Sequence, residues 1–361
     1  MRYDVAVVGN GPAGCIAAER GCSANEVALV GTGIRRMQCA GLISKSGLER
    51  IDASPGDTVL NKVRGARMYS PGKVEVEIDG RRTKAYALDR PGFDMRLQDK
   101  ALKAGATYVE DWVSSLNGGV NLRFGGELKA DRIVLATGTD YTLHRQRGVE
   151  MPRDFLIGGQ YEMKVDCDPD FVELHFTVPD FFAWVIPAGD VARVGLCVKS
   201  NPRPYLDDFV KRLKSAGRVR SDSRHSESFG IIPIHEPSLR TQYDNIVTVG
   251  DAAGQVKAST GGGVVFGGIS AAYSCRPDYE ACWRRELGGE LRLHLMIHRM
   301  LCRMSDDTKD RMFRAAREGT ASLESGGDMD LASKTLSALM KNPRFLFKAL
   351  FNMPHLLADM I

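Results

Sequence analysis

No stretch of about 20 consecutive apolar residues occurs in the chain, so no segment is expected to cross a bilayer. No Cys-x-x-Cys occurs either. The eight cysteines, Cys15, Cys22, Cys39, Cys167, Cys197, Cys275, Cys282 and Cys302, are scattered. That spacing argues against a zinc ribbon and an iron–sulfur cluster. In a chain of 361 residues it reads as free thiols in a reducing, cytoplasmic setting. There is no His-Glu-x-x-His. His294 and His298 stand at i, i+4 with Glu290 one turn earlier, but no third distal ligand follows, so they read as a polar helix face and no metal is expected. Charge of either sign is nearly balanced, with 49 Lys and Arg against 45 Asp and Glu, a net of +4. This is too little for nucleic acid, yet compatible with an anionic membrane surface. The chain starts on a core strand, so no signal peptide is expected.

What the chain does have begins at Tyr3. Asp4-Val-Ala-Val-Val8 is a short β-branched run that reads as a buried parallel strand. Gly9, Gly11 and Gly14 follow as G-x-G-x-x-G, and Pro12, Ala13 and Cys15-Ile-Ala-Ala18 open a helix. In a dinucleotide fold the first glycine allows the tight turn. The second admits a pyrophosphate to the backbone, and the third lets helix and strand pack closely. Free N–H groups and the positive dipole end of the helix then face the phosphates. A second strand, Glu26–Val30, ends at Gly31 and Thr32 where such folds place an acid for the adenosine ribose. Two readings stay open: Thr32 or the backbone replaces the carboxylate, or Arg35 and Arg36 bind the 2′-phosphate of NADP.

Further along, residues 36–42 form a Gly-containing loop carrying Cys39. That cysteine is either a small buried residue or a redox neighbour of a flavin ring. Alternation in Val74–Ile78 predicts a half-exposed strand. Asp89-Arg-Pro91 opens a helix that Gly105 closes, Val109–Val113 is a candidate parallel strand, and a hairpin turns at Asn117-Gly-Gly119. Arg132–Ala136 is a buried strand ending in Thr137-Gly138. From Phe155 to Val198 short strands joined by turns predict an antiparallel sheet, with Pro179-Asp-Phe-Phe-Ala-Trp-Val-Ile-Pro187 dense in aromatic residues. Asn245–Val249 returns to the parallel sheet and leads into Gly250-Asp251 and Ser259-Thr-Gly-Gly-Gly-Val264, a second phosphate or ribityl site. The remainder is mostly helical, punctuated by Gly288-Gly289, Gly326-Gly327 and Pro343.

These features predict an α/β protein. A Rossmann-like dinucleotide-binding domain, FAD-binding on the resemblance given next, would comprise residues 1–60, 85–145 and 240–275. An inserted antiparallel β-sheet substrate domain would comprise 61–84 and 146–239, and a C-terminal helical region 276–361. The motifs GNGPAG (9–14), LDRPGFDMRLQDKALKAGA (88–106), LATG (135–138) and VGDAAGQVKASTGGGV (249–264) resemble the p-hydroxybenzoate hydroxylase-like, FAD-dependent monooxygenase superfamily. CAGL (39–42), PDFFAWVIP (179–187) and KASTGGG (257–263) more narrowly resemble the geranylgeranyl reductase family, which includes digeranylgeranylglycerophospholipid reductases. The resemblance runs from Met1 to about residue 270.

The resemblance implies an FAD-dependent reductase that saturates C=C bonds of prenyl chains on a lipid or isoprenoid. Its electron donor would be NAD(P)H or a ferredoxin. The alternatives are an aromatic-ring monooxygenase and a flavin electron carrier that docks a partner protein. Carried over position by position, Ala13 and Gly14 would meet the pyrophosphate, and Gly31 stands for the ribose acid. Cys39, Ala40 and Gly41 would form the flavin loop, Arg90 the FAD-contacting arginine, and Val113 the adenine-side contact. Asp251 would bind the ribityl or pyrophosphate portion. Gly262, Gly263 and Val264 would lie along the isoalloxazine edge. Phe181, Phe182, Trp184, Ile186 and Pro187 would line the prenyl tunnel, and Cys39 or ordered water is the candidate proton donor. The family pattern is broken by Gly31 in place of an acid, by Phe182 and Ile186 in place of tyrosine and phenylalanine, and by Ala258 in place of proline. The C-terminal stretch with Phe345, Phe347, Phe351 and interspersed Lys341, Arg344 and Lys348 is either a helix docked on the substrate domain or an interfacial segment in peripheral contact with a membrane.

Overall fold

A computed structural model describes residues 1–33 and 39–360. Its first sheet is parallel at its centre, in the order Thr107–Glu110, Val27–Gly31, Arg2–Val8, Glu127–Leu135, Ile246–Thr248. The strand Arg2–Val8 explains its own composition. Val5 and Val7 join the core on one face, while Ala6 and Val8 join the core on the other. A strand buried on both faces reads as a continuous apolar run rather than an alternation. The chain leaves this strand for neighbours on both sides, which creates a crevice beyond its carboxyl end.

The second sheet has seven strands, in the order Val219–Pro233, Phe155–Val165, Val191–Val198, Ala183–Ala188, Phe171–His175, Gly65–Tyr69, Glu75–Asp79. All pairs are antiparallel except Phe171–His175 with Gly65–Tyr69, which run parallel. Alternation sorts its residues cleanly. Leu156, Phe182, Trp184, Ile186 and Cys197 face one core, while Tyr161, Met163, Val185, Val194 and Leu196 pack under the helix Arg203–Ser215. A small third sheet, Leu42–Ser44, Ala85–Leu88 and Val59–Val63, joins the two larger ones. The C-terminal helices Asp306–Arg317 and Thr320–Gly326 close over the edge strand Glu75–Asp79, tied there by Asp310 to Ser70 Oγ (2.5 Å) and the Gly72 N–H (2.8 Å).

Several expectations change. Val109–Val113 is not one strand: Asp111 stops it by accepting the N–H groups of Trp112 and Phe124, and a separate strand, Val113–Ser115, turns antiparallel. Gly288-Gly289 does not punctuate a helix. Tyr279–Arg303 runs through it, held by buried Trp283, Leu287, Leu291 and Leu295 on one face. His294 and His298 are no polar face; both are buried. Arg35 and Arg36, the NADP candidates, lie outside the described residues. Among the described residues no helix is long and apolar enough to cross a membrane. The helix Pro343–Met360 packs against Asp306–Arg317, burying Phe345 and leaving Phe347 exposed, with Lys348 paired to Glu318.

The helix–strand packing depends on Gly14. A Cβ there would sit inside the van der Waals radius of the Gly9 carbonyl oxygen, which is backbone and cannot swing away. Gly14→Ala is therefore expected to destabilise the FAD-free protein by about 3 kcal/mol or more. Gly11→Ala, which meets nothing within 4 Å, should shift stability by no more than about 0.5 kcal/mol. Denaturant melts of the two variants check the contrast.

Candidate active site

A single cavity of about 1720 Å³ runs from the glycine turn at 9–11 to the face of the antiparallel sheet. Ordinary small-molecule pockets measure roughly 300–1,000 Å³, so this one has room for a large cofactor and an elongated second ligand.

At the nucleotide end, Gly9 has φ +109° and Gly11 is the first residue before the helix Pro12–Gly21. No Cβ-sized obstacle stands at Gly11, so the helix N-terminus opens directly on the cavity. Pro12, Ala13, Gly31, Thr32, Val113, Thr137 and Gly138 line the same end, whereas Gly14 is packed behind the turn and does not. Gly31 is next to a residue that sequence reasoning missed. The Asn10 side chain, fixed by Nδ2 donating to Gln98 Oε1 at 3.0 Å, fills the space a side chain at 31 would need. An acid at 31 and Asn10 in this position exclude one another.

In the middle, the loop Cys39-Ala-Gly41 crosses the cavity wall. Gly41, at φ +69°, donates its N–H to Cys39 Sγ at 3.3 Å. Arg90 grips Asp94 through Nε and Nη2, both at 3.1 Å, and also reaches Cys39. The loop is held from outside by Arg193, a second residue missed in the sequence. Its Nη1 donates to Ala40 O at 3.0 Å and to Leu88 O at 2.9 Å, while Nε donates to Glu162 at 2.9 Å. On the facing side Asp251, Gly262, Gly263 and Val264 line the wall together, beside Gly250. The Asp251 carboxylate lies against Gly263, where a Cβ would meet Oδ1 at 2.5 Å. Burial pushes this carboxyl upward, and the nearby Arg90 opposes the rise.

Below Gly262 lies an ion pair that the sequence reading did not contain. Lys257 Nζ meets Asp330 Oδ1 at 2.5 Å, with both side chains only 3% exposed. Asp330 also accepts Ser44 Oγ, and its carbonyl accepts His294 Nε2 at 3.0 Å, while His294 Nδ1 meets Ser259 Oγ at 2.6 Å. Burial alone would raise the Asp330 carboxyl, but the Lys257 ammonium and hydrogen bonds from Lys257 and Ser44 outweigh it and hold the group below the ordinary range. Among the described residues no group of three or more His, Cys, Asp or Glu side chains is placed to hold a metal ion.

At the far end, Phe181, Phe182, Trp184 and Ile186 line the cavity, with Phe181 and Phe182 stacked at 4.2 Å between centroids. Pro187 is absent from this wall; strand alternation places it on the side opposite Ile186. Val172, Leu174 and Ile232 complete an apolar surface.

No family model matches the chain. It is 30% identical to digeranylgeranylglycerophospholipid reductase 2 of Methanopyrus kandleri, an alignment covering 96% of this chain and 100% of that one. The chain belongs to the geranylgeranyl reductase family. Another relative, digeranylgeranylglycerophospholipid reductase 2 of Methanothermobacter thermautotrophicus, is 28% identical over 87% of this chain and 92% of its own. Among solved structures, a geranylgeranyl bacteriochlorophyll reductase-like protein of Thermoplasma acidophilum superposes with a TM-score of 0.83 at 22% identity, covering 97% of this chain and 99% of that one. The flavin-dependent brominase Bmp2 shares the fold at a TM-score of 0.65 and 16% identity, covering 98% of this chain and 94% of its own.

As a family member the protein is an FAD-dependent oxidoreductase. The residues present fit the cofactor: a glycine turn without a Cβ, a free helix N-terminus, and a second glycine-rich wall facing it across the cavity. Gly11→Val should fold normally, because Gly11 has φ −72° and open space, yet lose bound FAD, read from the flavin-to-protein absorbance ratio. A second expectation concerns the ion pair. Lys257→Met leaves a buried carboxylate without its cation and should cost about 3–5 kcal/mol, most of it recovered when Asp330→Leu is added. The depressed Asp330 carboxyl contributes stability above the unfolded value of about 4 and loses that contribution as pH falls through its folded value. Acid melts of wild type and the double variant should show the difference.

Proposed function

We propose that the enzyme saturates carbon–carbon double bonds of prenyl chains carried on a lipid or other isoprenoid. One observation supports this best: the cofactor end of the cavity continues without a partition into an apolar channel walled by Phe182, Trp184, Ile186, Val172 and Leu174. Burying methylenes on such a wall is favourable by about 0.8 kcal/mol each, so a long hydrocarbon gains binding energy in proportion to its length. The names and coverage of the relatives agree with this reading.

When bound, FAD supplies the reducing equivalents that an isolated alkene requires. The protein supplies position. An isolated alkene is poorly polarised, so holding it beside the ring carries much of the acceleration. Arg193 fixes the Cys39–Gly41 loop over the channel, and Asp251 and the glycines of residues 262–263 fix the opposite wall. A proton must also reach the second carbon. Cys39 is our candidate donor. Cys197 lines the same cavity but is a poorer one, because burial, reinforced by neighbouring Cys39, drives its thiol far above the ordinary range. The source of electrons is a nicotinamide nucleotide or a ferredoxin.

The decisive experiment is anaerobic. Dithionite-reduced holoenzyme incubated with a geranylgeranyl lipid should yield product heavier by one dihydrogen for each bond saturated. Oxygen consumption with hydroxylated aromatic product would instead identify a monooxygenase, and electron transfer to a protein with no lipid turnover a carrier. Cys39→Ala should lower lipid turnover by about 10²-fold at unchanged FAD content if its thiol delivers the proton; an undiminished rate removes Cys39 from the mechanism.

A further inference from the structure

One buried donor in the cavity wall has no partner. Gln160 is 5% exposed and lines the cavity from the middle of Phe155–Val165, the strand beside the edge of the antiparallel sheet. Its Oε1 accepts the Trp184 indole N–H at 3.1 Å, whereas Nε2 has no hydrogen-bond partner. The orientation of this amide is fixed by chemistry. An indole nitrogen only donates, so the atom facing it must be the oxygen, and the NH₂ must point elsewhere. Buried polar atoms are seldom left unsatisfied, and a free donor at a ligand cavity calls for an acceptor supplied by the ligand.

The strand register holds that amide in place. Gln160 and Trp184 lie on strands that flank Val191–Val198 on opposite sides, and both are in register with Gly195. Two strand spacings, roughly 9.5 Å, separate their backbones. The indole bridges the gap by lying flat across Gly195, where any Cβ would collide with the ring. Much of the surrounding wall is apolar, including Ile186, Val172 and Leu174, with Ser228 across the strand pair from Gln160.

We propose that Gln160 is the polar tether of the substrate channel: its free amide N–H groups donate to the oxygen at the head of the prenyl chain. This rests on the prenyl-reductase reading above. The physical reason is register. A polyprenyl chain repeats the same five-carbon unit, so an apolar channel binds it equally well when it slides by one unit. A chain of this kind carries oxygen only at its head, as an alcohol, ether, ester or phosphate ester. One hydrogen bond to that atom removes the degeneracy and sets which double bond stands opposite the cofactor wall first.

The test compares two probes on FAD-loaded enzyme: geranylgeraniol, and the hydrocarbon of identical skeleton and unsaturation that lacks the hydroxyl. Equilibrium binding is followed through quenching of tryptophan fluorescence. In Gln160→Met the affinity for geranylgeraniol should fall about tenfold, the size of one hydrogen bond, while that for the hydrocarbon stays within about twofold. The first partially reduced product, homogeneous in wild type, should become a mixture of positional isomers. Gln160→Leu also removes the donor, and carries the same test if the methionine variant folds poorly.

Equal losses for both probes would reduce Gln160 to a wall residue. Unchanged alcohol affinity, or a shifted flavin spectrum with weakened FAD retention, would assign the acceptor to the cofactor; each of these overturns the tether. Wild-type enzyme that neither binds the probes nor reduces any double bond would remove the prenyl-reductase reading and the tether with it.

Discussion

The two large sheets have separate cores, and one buried guanidinium ties the second to the loop and strand that border the first. Arg193 projects from the antiparallel sheet with its side chain 3% exposed, balanced by Glu162 on the neighbouring strand. Its remaining reach goes to two backbone carbonyls, Ala40 O and Leu88 O, which belong to the cofactor half of the molecule. Ala40 sits in the Cys39 loop, and Leu88 immediately precedes Asp89, the cap of the Arg90–Lys103 helix. One side chain therefore sets the position of both Cys39 and Arg90 relative to the channel floor. Arginine suits the task because its planar fork can meet several acceptors at fixed angles while remaining charged. Gly41 is part of the same constraint: a Cβ there would collide with the guanidinium and with Leu88 O.

The C-terminal helices are held by a different device. Helix-to-sheet packing by Asp310 and Glu324 is peripheral, but Lys257 to Asp330 reaches the cofactor wall itself. Lys257 belongs to the glycine-rich turn that faces the first glycine motif, and Asp330 lies two residues before the helix Ala332–Met340. A buried pair of this kind gains little net stability over an apolar pair, yet leaving either charge alone is costly. Such an arrangement makes helical closure and the shape of the 257–263 turn interdependent.

These two devices also mark where the sequence stopped being legible. The nucleotide half could be read because its signals are local: a β-branched run, glycines at fixed offsets, and an acid after a strand. The aromatic channel was legible for the same reason, with the residues of PDFFAWVIP lying on one strand and its lead-in. Arg193 and Gln160 carry no local signal. The meaning of each depends on what the facing loop or the next strand but one presents. Lys257 and Asp330 are 73 residues apart. The edge strand Val219–Pro233 went unread because most of it is exposed and polar on both faces, so neither an alternation nor an apolar run betrays it. Gly288-Gly289 misled in the opposite sense: a local breaker was overridden by the packing of a 25-residue helix.

The two ends of the cavity differ in chemistry, and each is built by a different kind of sheet. Phosphates and a ribityl chain need many donors, which a parallel sheet provides where strands end and helices begin. A hydrocarbon needs a wall with almost none, which the inward face of an antiparallel sheet provides through alternation. The boundary between the two environments is the loop over Arg193. Polar groups that do occur on the apolar face are spent on one another, Arg193 on Glu162 and Trp184 on Gln160. The Gln160 amide nitrogen is left over. On the tether proposed above, an uncommitted donor in such a wall would act as a chemical address and give an otherwise uniform channel a fixed end.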